Sequence, residues 1–238
     1  MTRTLPILIT SLLLFPTWSY GTQKETRATY RYEARMAFLN AGILTLDFNR
    51  QGKVYEFLGG FETSRAMNKY YTWNGLFAAK GQWQGGKLQT EAYLTLSKSS
   101  DDDYKATLYE PKETRHMSKP SEPFETIPTP QGVDLISALF LSPDCYEGAK
   151  VHDGEDDYAI KLRSTKQRKM VAASKYYNGP VIQCDYQMQD NKGRKRRIQI
   201  ALGNIEGKTV AVRASVKIPL LPDPVFQLLM PVLKGADS

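Results

Sequence analysis

The sequence predicts an all-β, mainly antiparallel protein: a single strongly curved or closed β-barrel or β-spiral of about a dozen strands with one short helix. Apolar and polar residues alternate along most of the chain from Tyr30 to Ile218, which is typical of half-buried strands. Turn residues separate the alternating runs, and a single short run has helical spacing. Because helices do not alternate with the strands, we expect antiparallel pairing, and long antiparallel sheets curl.

The composition is that of a globular protein. Of the 238 residues, 41% are apolar, and the formal net charge is +7. This apolar content excludes a collagen-like, coiled-coil or wholly disordered chain. Strands in the first half are predicted over residues 30–38, 40–49, 54–61, 71–83, 88–97 and 104–110. The three aspartates 101–103 are interpreted as a solvated hairpin tip.

Large side chains on one face of the N-terminal strands predict an apolar cavity inside the barrel. They recur at every second position, and a curved sheet turns that face inward. The predicted wall consists of Tyr32, Met36, Phe38, Tyr55, Phe57, Phe61, Trp73 and Phe77. One short helix is available to fill the space, so an apolar ligand would occupy the remainder. The alternative is a core packed entirely by the protein's own side chains, as in many small barrels.

The middle of the chain breaks the alternation. Residues 111–131 contain five prolines and few aliphatic residues, which predicts an extended surface loop. The run 133–140 has apolar residues at helical spacing and is followed by Pro143, so we expect a short helix that covers or plugs the sheet.

Strands resume after the helix. They are predicted over residues 149–152, 158–163, 169–174, 181–188, 197–202 and 209–218. Asp153-Gly154 and residues 191–193 are typical of hairpin turns between them. The short apolar segment 225–230 is expected to pack onto the mouth of the barrel.

The first 21 residues are typical of a cleaved secretory signal peptide. The apolar run 5–15 is shorter than the ~20 residues that a membrane-spanning helix needs, so a membrane anchor is disfavoured. We expect the mature chain, residues 22–238, to be one soluble β-barrel domain with a core of about 30–219 and no transmembrane span.

Export determines how the two cysteines are interpreted. Cys145 and Cys184 are the whole cysteine content, and an oxidising compartment favours one disulfide between them. A redox-active pair is the alternative, but the C-x-x-C spacing of thiol oxidoreductases is absent.

The sequence offers little for catalysis. The two histidines, His116 and His152, are interpreted as ordinary exposed residues, and no G-x-S-x-G elbow accompanies them. Metal-binding spacings such as H-E-x-x-H are also absent, and the acidic run 153–157 lacks the order of an EF-hand loop. We therefore predict no catalytic residue, no metal and no cofactor.

A cluster of positive charge lies near the end of the chain, formed by Lys192, Arg194, Lys195, Arg196 and Arg197. In an exported protein this cluster does not indicate nucleic-acid binding. Two interpretations stay open: contact with an anionic envelope surface, such as phospholipid headgroups or lipopolysaccharide, and a solvated hairpin turn.

Several short motifs resemble those of the domain-of-unknown-function family 3108. They lie at residues 71–81, 85–88, 134–139 and 151–154, followed by Tyr158. The family comprises exported proteins of Gram-negative bacteria, and the resemblance covers roughly residues 30–219. It implies a periplasmic, LolA-like or spiral β-barrel scaffold, akin to envelope-integrity proteins, with a concave interior. The family has no established catalytic residues to transfer to this chain.

Two functions follow as hypotheses. The first is a non-catalytic periplasmic barrel that supports the cell envelope, by binding a lipid or another apolar ligand in its concave interior or by holding a partner on its surface. The second is a hydrolase of envelope polymers that uses paired carboxylates, which would have to lie about 5 to 10 Å apart across a cleft.

Overall fold

The computed structural model describes residues 25–69, 72–85, 87–99, 104–217, 222–231 and 233–234. Apolar and polar side chains alternate along these residues, which form sixteen strands of one sheet. The strands are β1 (Glu25–Met36), β2 (Leu39–Gln51), β3 (Val54–Thr63), β4 (Trp73–Gln84), β5 (Lys87–Ser99), β6 (Tyr104–Glu110), β7 (Glu113–Met117), β8 (Glu125–Ile127), β9 (Val133–Asp134), β10 (Lys150–His152), β11 (Asp157–Met170), β12 (Gly179–Asp190), β13 (Lys195–Ile205), β14 (Lys208–Lys217), β15 (Pro224–Leu228) and β16 (Leu233–Lys234). A 3₁₀ turn spans Met67–Lys69, and a single turn of π-helix spans Ser137–Leu141.

The sheet consists of two meanders that meet at β1 and β15. The order across it is β8-β7-β6-β5-β4-β3-β2-β1-β15-β14-β13-β12-β11-β10-β9, and β16 pairs with β1. Neighbours are antiparallel except for β9 and β10, which are parallel. The predicted all-β class is confirmed, in the strongly curved form, since β8 and β9 remain the two edges. The segment 225–230 does not cover the mouth: most of it is β15, which joins the two halves of the sheet.

Curvature brings the β9 end of the sheet against the inner face of β5 and β6. The Thr90 hydroxyl donates a hydrogen bond to Asp134 Oδ2 at 2.7 Å, and the His152 ring stacks on Tyr109 at 4.1 Å between centroids. The sheet therefore overlaps itself by side-chain packing rather than by closing a ladder of backbone hydrogen bonds.

The helix fills the centre of this curved sheet. All five of its residues are buried, and the Phe140 ring meets Tyr32 edge-on at 5.3 Å. The expectation of one short helix that plugs the sheet is confirmed, but the helix is shorter than the run 133–140. Val133–Asp134 forms a strand instead, because Asp134 is bonded to Thr90 and its Oδ1 accepts the backbone N–H of Ser137 at 2.8 Å.

Two predicted boundaries are wrong. The proline-rich stretch 111–131 is not simply a loop, since β7 and β8 lie within it, between the prolines, where every backbone N–H is available for pairing. In place of the two strands predicted over 158–163 and 169–174, one strand, β11, runs from Asp157 to Met170, and residues 171–174 are not in a strand. After Leu162 this strand is almost entirely polar, so the sequence shows no alternation of apolar and polar residues there. Pairing with β12 keeps this part of the strand extended.

The predicted disulfide is confirmed. Cys145 lies in the segment that follows the helix, Cys184 lies in β12, and their Cα atoms are 5.7 Å apart. Among the described residues, no helix is long and apolar enough to cross a membrane. The predicted signal peptide and the aspartates 101–103 lie outside the described residues.

Candidate functional site

The middle of the barrel is filled by the protein itself. Three residues of the predicted cavity wall, Tyr32, Tyr55 and Phe57, are only 1%, 0% and 4% exposed. The Tyr32 hydroxyl donates a hydrogen bond to the backbone carbonyl of Ala211 at 2.9 Å, so its polar end is satisfied inside the core. Around these three residues the interior is packed by the protein's own side chains, as in the alternative to a ligand cavity.

Three other residues of the predicted wall form a half-buried aromatic cluster at one end of the barrel. The Phe61 ring lies 5.2 Å from Trp73 and 6.3 Å from Phe226, and Trp73 lies 6.3 Å from Phe77. These contacts are aromatic pairs of ordinary geometry.

The last two residues of the predicted wall lie at the end of β1. Met36, the last residue of β1, is half-buried. Phe38 is 84% exposed, so its assignment to the wall is wrong. The alternation of β1 ends at Met36. The tight turn to β2 follows, and in it Ala37 adopts a φ of 53°. Phe38 belongs to that turn.

At the opposite end of the barrel the interior is open. We call this cavity, of about 590 Å³, the mouth pocket. Its lining residues are Thr26, Tyr30, Phe48, Arg50, Gly52, Trp83, Phe140, Leu141, Pro143, Gly207, Lys208, Thr209 and Val210. None of the eight predicted wall residues is among them, although Tyr55 and Tyr32 pack directly beneath it, against Trp83 and Phe140.

Trp83 is the centre of the aromatic wall. Its ring lies 4.9 Å from Tyr55 and 6.5 Å from Phe48, both in edge-to-face geometry. Period-two alternation explains the wall, because Phe48 follows buried Leu46 by two positions on the inner face of β2. The alternation along the strands therefore predicts an aromatic inner face, but it does not indicate which end of the barrel stays open.

Two cations stand at the entrance. The Arg50 guanidinium lies 4.3 Å over the Trp83 ring, and its Nε donates to the Gly52 carbonyl at 2.9 Å. Lys208 follows the two-residue turn of Glu206 and Gly207, whose φ values of 52° and 82° are those of a type I′ hairpin. The described lining residues include these two cations and no acidic residue.

The floor of the mouth pocket is the end of the helix. Phe140 and Leu141 are 8% and 9% exposed, and Pro143 continues the floor toward the entrance. The disulfide fastens Cys145, two residues further, to β12. The floor is thus attached to the sheet on both sides, through Asp134 before the helix and Cys145 after it.

The other titratable groups of the interior are sealed from the mouth pocket. Asp134 is 0% exposed; burial raises the pKa of its carboxyl, while hydrogen bonds from Ser137 and Thr90 partly oppose that rise. His152, also 0% exposed, has a pKa lowered to about 4 by burial, against the charges of Asp153 and Asp157. These groups support the core.

The interpretation of the histidines as exposed residues is wrong. His152 is fully buried between aromatic rings, and His116 lies in a half-buried position where its Nδ1 is 2.9 Å from Thr107 Oγ1. Within the described residues, no group of three or more potential metal ligands occurs.

The five basic residues near position 195 lie at the end of the barrel opposite the mouth pocket. The register places Arg197 beside Lys217, whereas Ile205 and Lys208 meet at the mouth. All five are exposed, and Arg194 Nε binds Asp190 Oδ2 at 2.6 Å. The geometry is that of a solvated hairpin turn, and contact with an anionic surface stays a prediction.

No protein-family model and no curated protein matches the chain, so membership in family 3108 is not confirmed. Among solved structures, a β-barrel-like protein of the domain of unknown function DUF1849 from Brucella abortus is 13% identical, with a TM-score of 0.55 over 88% of this chain and 98% of that chain. A DUF1329 family protein from Desulfovibrio piger is 11% identical, with a TM-score of 0.28 over 92% of this chain and 88% of that chain. The chain therefore shares a β-barrel-like fold with a protein of a domain of unknown function, and the likeness concerns the fold alone.

Proposed function

We propose that the protein is a non-catalytic periplasmic barrel of the cell envelope that binds an apolar ligand in the mouth pocket. One observation carries the proposal: at one end of the described barrel, aromatic side chains of the inner face wall a cavity of about 590 Å³. Concave, mostly apolar cavities with a few polar groups are the usual form of small-molecule sites.

The physical basis of binding is apolar burial. Each Å² of apolar ligand surface removed from water contributes about 25 cal/mol. The wall around Trp83 is already held by its neighbours Phe48 and Tyr55, so little side-chain ordering is needed when a ligand enters.

Two observations support the periplasmic location. The first 21 residues have the composition of a secretory signal. The two cysteines form a disulfide, which persists in oxidising compartments such as the periplasm.

The chemistry of the mouth pocket favours binding over hydrolysis. A glycosidase of the usual kind needs two carboxylates on either side of the bond that is cut. The described lining of the mouth pocket contains hydroxyl groups and cations but no carboxylate. Asp134, the buried acid nearest the floor in sequence, is engaged by Thr90 and Ser137.

A neutral fluorescent probe tests the proposal. Nile red should bind the delipidated protein saturably, with enhanced emission. Phe48→Asp places a charge in the wall of the mouth pocket and should abolish binding. Phe77→Asp is the matched control, since Phe77 is also a half-buried aromatic residue of the inner face but lies at the opposite end.

Both variants are first compared with the wild type by circular dichroism to establish folding. Absence of saturable binding by the wild type would refute ligand binding. Loss of binding in Phe77→Asp alone would place the site in the aromatic cluster at the other end.

A further inference from the structure

We infer that the ligand of the mouth pocket is an anionic amphiphile, whose chain lies against the aromatic wall and whose carboxylate or phosphate group binds Arg50 and Lys208. This inference rests on the proposed function and specifies the chemistry of the ligand. The described lining combines an apolar wall with two cations and no acid. A wholly apolar ligand would leave both cations without a counter-charge at its end.

Arg50 is held in position before a ligand arrives. Stacking on Trp83 and the hydrogen bond from Nε to Gly52 fix the plane of the guanidinium. The two Nη groups then provide N–H donors in a planar fork, which matches the geometry of a carboxylate or phosphate. Since the side chain is ordered already, less conformational entropy is lost on binding.

Lys208 contributes the second charge from the other half of the sheet. It begins β14, directly after a turn in which Asn204 Oδ1 accepts the N–H of Gly207 at 3.0 Å. Lys208 and Arg50 both line the mouth pocket, and no acidic residue is among its described lining residues. The pair therefore attracts an anion to the opening through which the apolar chain enters.

The position of the charges separates this site from the basic turn at the other end. Lys192 belongs to a hairpin in open solvent, where Asp190 accepts its backbone N–H at 3.0 Å. The Arg50 guanidinium instead lies over the Trp83 ring in the lining of a cavity. The mouth pocket combines this cation with the apolar wall around Trp83.

Three ligands with the same chain test the inference: palmitate, hexadecyl phosphate and hexadecanol, each competing with Nile red. At low salt, the anions should bind at least about tenfold more tightly than the alcohol, as expected for a charge-assisted hydrogen bond. That advantage should shrink as salt rises, because exposed charges are screened. The preferred anion distinguishes a fatty-acid carboxylate from a phosphate headgroup.

Variants assign the effect to the two cations. Arg50→Gln and Lys208→Gln should each weaken the binding of palmitate and hexadecyl phosphate far more than that of hexadecanol, so that most of the advantage of the anions is lost. Arg50→Lys should retain part of it, since the charge remains while the planar fork is lost. Lys192→Gln, at the opposite end of the barrel, is the control and should behave like the wild type.

The outcomes separate the two proposals. If hexadecanol competes as well as both anions while Nile red still binds, the headgroup inference is refuted and ligand binding stands. The same holds if the anions are preferred equally by the wild type and both Gln variants. If Nile red does not bind, both proposals fail.

Discussion

At the scale of single residues, His152 shows how the core constrains protonation. Its ring is stacked on Tyr109 at 4.1 Å and meets Tyr93 edge-on at 5.8 Å. Neither ring nitrogen has a hydrogen-bond partner among the described residues. A buried imidazole without partners is held in its neutral form, because desolvation disfavours the cation.

This environment predicts a pH dependence. The pKa of His152 falls from 6.5 in the unfolded chain to about 4 in the folded protein. The unfolded state therefore binds the extra proton, and stability is lost as pH falls from 6.5 toward 4. At 1.36 kcal/mol per pKa unit, the loss is roughly 3 kcal/mol.

We expect His152→Phe to remove that loss while preserving the stacking on Tyr109. Relative to the wild type, the free energy of unfolding of the variant should rise by roughly 3 kcal/mol between pH 7 and pH 4, measured by urea unfolding at each pH. The raised pKa of Asp134 acts in the opposite direction but is common to both proteins, so it cancels in the difference. Parallel pH profiles would contradict the assignment to His152.

At the scale of elements, the helix Ser137–Leu141 occupies the centre of the curved sheet. Its first residue is bonded to Asp134, and the segment after it is tied to β12 by the disulfide. The helix is too short to be stable alone, so its conformation depends on these two attachments and on the burial of all five residues.

Removing the disulfide should therefore have two effects. In Cys145→Ala/Cys184→Ala, loss of a cross-link with a sequence separation of 39 should lower the free energy of unfolding by ~4 kcal/mol on the chain-entropy account. Nile red binding should also weaken, because Pro143 in the floor loses its nearby anchor. Urea unfolding and probe titration measure the two effects.

A reducing agent provides the control, since it should destabilise the wild type and leave the double variant unchanged. Protein purified from the periplasm should contain no free thiol by intact mass. Two free thiols in that material would contradict both the disulfide and the proposed compartment.

The elements also show what the sequence could predict. Period-two alternation identified the inner faces of the N-terminal strands correctly, since Tyr32, Tyr55 and Phe57 are buried. It failed for β11, whose second half is polar on both faces, and for β7, which is hidden among prolines. Long-range pairing stabilises both strands, and no local pattern reports such pairing.

The candidate site was predictable only in part. The aromatic inner face could be derived from strand alternation, as Phe48 and Trp83 show. Which end of the barrel stays open depends on how deeply the helix inserts, and that is a property of tertiary packing. Arg50 and Lys208 are 158 positions apart, so their placement at one entrance could not be derived from spacing.

At the scale of the whole molecule, the two ends of the barrel are chemically different. One end carries the mouth pocket, and the other carries the aromatic cluster around Trp73 and the basic turn that begins after Asp190. The open edges of the sheet, β8 and β9, are only three and two residues long, which limits strand addition by another chain.

This separation predicts independent behaviour of the two ends. Replacing Arg194, Lys195 and Arg196 by Ser should leave Nile red affinity within about twofold of the wild type, because distant sites without shared partners act additively. Co-sedimentation of the same variant with anionic vesicles decides between the two interpretations of the basic turn. Salt-sensitive binding that the variant loses identifies a lipid contact, and unchanged binding leaves a solvated turn.

The helix at the floor also determines how much of a ligand the protein can hold. In the proposed function, a ligand chain that enters past Arg50 and Lys208 would stop at Phe140, the buried end of the helix, and would be bound by one end. The headgroup of such a ligand would then stay at the entrance, in contact with water. Loading and release can use the same opening, and neither requires any two strands to separate.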